Sequence, residues 1–124
     1  MTAYNTGDVL LVPYPFGERA GGQKRPVLVI SSDEYNEGTG ELIIAQITSR
    51  VSAPPRPGDC NIESWREANL PAPAIIRSRL ATLETSSVLR KLGSLTEEDL
   101  ERAQSALSKL LTTSSEKALS GPGG

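Results

Sequence analysis

The 124-residue sequence contains no histidine, one cysteine, one tryptophan, one phenylalanine and three tyrosines. Lack of histidine excludes imidazole acid–base catalysis, a Ser-His-Asp triad and His-containing zinc sites. A lone cysteine, Cys60, excludes an intramolecular disulfide and suits a reducing compartment. Its simplest role is that of a small strand residue. No run approaches the roughly 18 apolar residues of a membrane span. The opening MTAYNTGD lacks the basic and apolar regions of a signal peptide, so the expected location is the cytoplasm, with no membrane partner. A basic excess is missing too. With a formal charge of −2, any nucleic-acid site must be a local patch, and a short single strand suits it better than a long duplex. Asp8, Asp33, Glu34, Glu37 and Glu41 are scattered without metal-ligand spacing and read as solvated loop positions, so neither metal nor cofactor is expected.

What remains is arginine, hydroxyl and carboxylate chemistry. Nine of the 13 basic residues are arginine, whose planar fork matches phosphate oxygens and stacks on bases. The informative stretch is 7–50. Val9–Val12, Val27–Ile30 and Leu42–Ile47 are apolar, β-branched runs bounded by turn-forming residues, and predict three strands of a mainly β protein. The link SSDEYNEGTGE suits a long-looped antiparallel hairpin better than a crossover helix. Pairing Ser32 with Leu42 makes partner numbers sum to about 74, which brings Arg25 beside Thr48 and Ser49. The loop GERAGGQK leads to the same end, where its amides can close over an anion. The expectation from spacing alone is a phosphate site.

Pro13 and Pro15 end the first strand, and Tyr14 and Phe16 at its exit are placed either to stack on bases or to plug the barrel end or a dimer seam. The Pro-rich loop 51–59 carries Arg56, with Arg50 just before it; both are candidates for flanking phosphates or, alternatively, solvated cations. Cys60–Ile62 predicts a short edge strand, followed by a loop or turn around Trp65, a packing anchor. Ala74–Leu83 predicts a strand with Arg77 and Arg79 on one face, lining a groove or dimer interface, or pairing with Glu63 or Glu67. Val88–Leu92 predicts the last strand. Ser94-x-x-Glu97 has the form of a capping box opening a helix to about Leu111, with an apolar stripe of Leu100, Ala103, Leu107, Leu110 and Leu111. Residues 1–111 are expected to form one domain and 112–124 a flexible tail.

The pieces GDVLLV, KRPVLVIS and IIAQITSR, in this order and spacing, resemble the MazF/PemK (Kid-like) toxins of type II toxin–antitoxin systems. The likeness weakens but persists through IIRSRLATLE and KLGSLTEEDLERAQSALSKLL, covering most of residues 5–111. The resemblance implies a small SH3-like β barrel that forms a homodimer and cleaves single-stranded RNA without a metal, countered by an antitoxin protein. Carried over by position, the family's catalytic Arg falls on Arg25 and its catalytic Thr on Thr48. Ser49, Arg50, Arg56, Lys24, Tyr14, Phe16 and Arg79 are the expected RNA contacts. Some members carry an acidic residue where this chain has Ala20, with Glu18 displaced by two positions. Two other functions share the expected architecture: a gyrase-poison toxin that cleaves no RNA, and an SH3-like peptide-binding module.

Overall fold

A computed structural model describes residues 3–13, 23–49, 51 and 54–112. Tyr14, Phe16, Glu18, Ala20 and Arg50, most of the Gly-rich loop, and residues 113–124 of the expected tail lie outside the described residues. The strands are β1 (Asp8–Pro13), β2 (Lys24–Val29), β3 (Glu41–Thr48), β4 (Cys60–Ile62), β5 (Ala74–Glu84) and β6 (Arg90–Ser94). Among the described residues there are also two α-helices, α1 (Asp33–Thr39) between β2 and β3 and α2 (Glu97–Leu111) after β6. All strand pairs are antiparallel, in the order β4-β5-β3-β2-β1-β6.

Alternation along the strands buries both faces of this sheet. Val9, Leu28, Ala45 and Ile47 join Ile62, Ile76, Ala103 and other residues in one apolar cluster, against which Trp65 packs. Their sequence neighbours Leu10, Val27, Val29 and Ile44 form a second cluster on the opposite face. The expected barrel is approximate, since the edge strands β4 and β6 do not pair with each other. The turn 64–70 brings the two edges together instead. Asn69 Nδ2 donates to the Leu92 carbonyl at 2.8 Å. Gly93 sits so close to Ala68 that a Cβ there would lie 2.6 Å from its carbonyl oxygen, so only glycine fits.

Several local expectations need correction. The β2–β3 link is not a plain loop but holds α1, capped by Ser32, whose hydroxyl accepts from Tyr35 N, and ended by Gly40 in the left-handed region. Register runs one lower than expected, with Val27 opposite Gln46 and Leu28 opposite Ala45. Asp8 is no solvated loop carboxylate. It is buried, accepts from Ser94 Oγ at 2.9 Å and Asn5 N at 2.9 Å, and pairs with Lys91 at 3.2 Å. The last strand starts at Arg90 rather than Val88, because Thr85–Ser87 forms a 3-10 turn that delays re-entry. Helix α2 is capped by Thr96, whose hydroxyl accepts from Asp99 N; Ser94 is occupied as the end of β6. Of the expected stripe, Ala103 and Leu107 are buried and Leu100 is partly so, whereas Leu110 and Leu111 are exposed.

Candidate functional site

Arg25 is the second residue of β2 and Thr48 the last of β3. Continuing the observed β2–β3 register by two steps sets them opposite each other. The ends of β2 and β3 line a groove of about 870 Å³. Arg25, Thr48, Ser49, Arg56, Arg77 and Arg79 supply its polar lining, with Ile47, Leu70, Pro71 and Ala74 among its apolar lining. The structure thus brings together Arg25, Thr48, Ser49, Arg56 and Arg79 from the expected set. Lys24 is exposed and does not line the groove. Arg25 receives local support from Gln23, whose Oε1 accepts from Arg25 Nη2 at 3.2 Å.

The contribution of the neighbouring strand depends on an irregularity in β5. Ala45 pairs with Leu80 and Ile47 with Ile76, so the single residue Gln46 faces a bulge of Arg77, Ser78 and Arg79. A bulge bends the strand and re-aims its side chains. Both Arg77 and Arg79 line the groove. Arg77 does not pair with Glu63 or Glu67. Its Nη1 donates to Asp59 Oδ2 at 3.1 Å, with both side chains largely buried.

Asp59 has a larger role than its place at the end of a Pro-rich loop suggests. Its Oδ2 also accepts from the Arg56 backbone N at 2.8 Å, while Asp59 N donates to the Arg56 carbonyl at 2.9 Å. This closes the Arg56-Pro57-Gly58-Asp59 turn, with Gly58 at φ +89° and a Cβ there 2.9 Å from Ser78 Cβ. One carboxylate therefore fixes the loop bearing Arg56 and orients Arg77. The sequence signal for it is an aspartate three residues after an arginine across Pro-Gly, a turn pattern. Among the described residues, no carboxylate lines the groove itself. Asp59 offsets the guanidinium of Arg77, and four arginines gather at one concave site in a chain of net charge −2. Cys60, next in sequence, packs against the core, and burial pushes its thiol up from the ordinary range, against the opposing effect of Arg102. It is a poor nucleophile there.

A curled six-stranded antiparallel sheet with a C-terminal helix and an arginine- and hydroxyl-lined groove defines a small, mainly β protein. The chain belongs to the PemK-like, MazF-like toxins of type II toxin–antitoxin systems, whose family model matches residues 5–111. Solved structures share its fold. An endoribonuclease in complex with its cognate antitoxin from Mycobacterial species is 18% identical, covering 88% of this chain and 95% of that chain, with a TM-score of 0.71. A MazE–MazF structure from Deinococcus radiodurans is 22% identical, covering 89% and 97%, with a TM-score of 0.69. The Mycobacterium tuberculosis toxin MazF-mt6 is 14% identical, covering 82% and 92%, with a TM-score of 0.65. No helix among the described residues is long and apolar enough to cross a membrane.

Proposed function

We propose that this toxin is a metal-independent, sequence-selective endoribonuclease acting on single-stranded RNA in the cytoplasm. The observation that carries the reading is the convergence of Arg25, Thr48 and three further arginines on one groove. That lining offers permanent positive charge and hydroxyl donors, which suit a phosphate whose negative charge grows during reaction. Arg25 holds the scissile phosphate as a bidentate clamp, and Thr48, with Ser49 beside it, donates to a non-bridging oxygen. Arg56 and Arg79 contact neighbouring phosphates.

In this reading the nucleophile is the RNA's own 2′-hydroxyl, which the bound strand carries next to the scissile phosphate, and no histidine is there to take its proton. Its oxygen forms a bond to phosphorus as the bond to the 5′-oxygen breaks. The 2′ proton passes to water and the leaving oxygen takes one from water. The products are a 2′,3′-cyclic phosphate and a 5′-hydroxyl. Cleavage by purified protein should survive EDTA essentially unchanged and leave those end groups, read by mass spectrometry of a defined oligonucleotide. Activity lost to EDTA and restored by Mg²⁺ would count against the site as assigned. A gyrase poison or peptide-binding module would need none of this phosphate chemistry, and inertness toward every RNA tested would favour one of them.

The same reading makes the toxin a homodimer with an antitoxin as its second partner. Leu80, Leu110 and Leu111 are exposed on the described part of the chain, apolar surface that a second copy would cover. An acidic antitoxin segment, folding as it binds, would compete with RNA for the groove. Sedimentation at micromolar concentration should give a dimer mass, and a monomer throughout would refute the pairing.

A further inference from the structure

A second, shallower groove of about 350 Å³ lies beside the first, lined by Arg66, Asn69, Leu70, Pro71, Arg90 and Leu92. Leu70 and Pro71 line both grooves, so only the end of the 64–71 segment separates them. The second groove is firmly built. Arg66 lies over the Trp65 ring, 4.6 Å from its centroid, and Trp65 itself packs on the core. Asn69 is held in the left-handed region at φ 62° with its amide on Leu92 O, and Gly93 is wedged against Ala68. The turn carrying Arg66 is therefore fixed against the strand carrying Arg90. Neither arginine is ion-paired among the described residues.

We infer that this second groove is a subsite for the sugar-phosphate backbone of nucleotides flanking those in the main groove, on the same single-stranded RNA. The inference rests on the RNA reading of the main groove. Charge segregation supports it: six of the chain's nine arginines line the two grooves, and no carboxylate does so among the described residues. In a chain of net charge −2, that arrangement gathers most of the arginines along two adjoining grooves. A polyanion with one charge per repeat fits such an arrangement. An acidic peptide that binds by folding needs apolar anchors as well, and the second groove offers only Leu70, Pro71 and Leu92. Arg66, backed by Trp65, presents a flat guanidinium suited to stacking or to a phosphate fork.

The test measures binding, without cleavage, of random-sequence oligonucleotides methylated at every 2′ oxygen, over a series of lengths and salt concentrations. Full-length wild type is compared with Arg66→Ala/Arg90→Ala and with Arg66→Lys/Arg90→Lys. The shortest bound oligonucleotides should bind wild type and the alanine variant alike. Longer ones should bind wild type more tightly, and the alanine variant should lose that gain. Its slope of log affinity against log salt on long oligonucleotides should fall by about 1.4, roughly 0.7 for each of two lost phosphate contacts. The lysine variant should keep the wild-type slope. An unchanged length gain and slope in the alanine variant overturns the inference, as does equal weakening at every length in both variants. If oligonucleotide binding is untouched but binding of an acidic peptide falls, the groove is a protein-docking surface instead. Wild type that binds short oligonucleotides without any length gain refutes the subsite alone, whereas wild type that binds none refutes the RNA reading with it.

Discussion

Replacing Arg25 with alanine is expected to lower RNA cleavage by about 10²–10³, the loss typical of a single electrostatic donor aimed at developing charge. The side chain is exposed at a strand end, so its removal leaves the core intact and the loss should fall on rate rather than on folding. Arg25→Lys should rescue poorly. An ammonium restores the charge but not the two-pronged geometry that holds a phosphate. Thr48→Ala should be milder, because a neutral hydrogen bond is lost, and Thr48→Ser should keep much of the activity. Single-turnover cleavage of one defined oligonucleotide, with melting temperature as the folding control, decides the matter. A normally folded Arg25→Ala protein cleaving at the wild-type rate would end the assignment. Arg77 is a less clean probe, because its removal also strands the buried carboxylate of Asp59.

The meeting of Arg25 and Thr48 was legible because it depends on two things a sequence displays: apolar β-branched runs and an antiparallel link between them. A register error of one left the two residues adjacent, since both lie at the strand ends. Strand alternation also made the shared face of Arg77 and Arg79 legible, and both line the groove. The bulge they belong to was not, because a bulge arises from pairing across strands, with no period of its own in the sequence. Asp59 was hidden for a related reason. Its loop is locally irregular, and its value lies in a bond to a residue 18 positions away. The second groove needs the sheet edges to meet through the 64–70 turn, a contact that strand patterning cannot specify. Helix α2 offers the sharpest case. Ser94-x-x-Glu97 and Thr96-x-x-Asp99 are overlapping frames of similar local merit. Tertiary contacts choose the second, because Ser94 is drawn into β6 to donate to Asp8 and Asp99 is drawn under the turn.

That choice makes Asp99 a residue whose loss should cost the fold heavily although it lies outside the apolar core. It is 1% exposed in the first turn of α2, where a negative charge also complements the helix dipole. Its carboxylate accepts from Glu63 N at 3.2 Å and Ser64 N at 2.9 Å, and pairs with Arg102. Alanine would leave two partly buried backbone donors unsatisfied, at about 1–3 kcal/mol each. Arg102 would keep only the longer contact to Glu63 at 3.8 Å. The expected loss is about 2–5 kcal/mol, which for a chain of this size lowers the melting temperature by roughly 10 °C or more. Asp99→Asn keeps one acceptor oxygen without the charge and should fall between. Because the turn that Asp99 anchors ends at Leu70 and Pro71, which line both grooves, the alanine variant should also bind RNA more weakly at temperatures where it remains folded. Bound RNA should still be cut at a near-normal rate, since Arg25 and Thr48 are held by β2 and β3, whose pairing does not involve the turn. Thermal unfolding followed by circular dichroism gives the first result and single-turnover kinetics the second. An Asp99→Ala protein that melts within about 2 °C of wild type would mean that α2 is held by its apolar face alone.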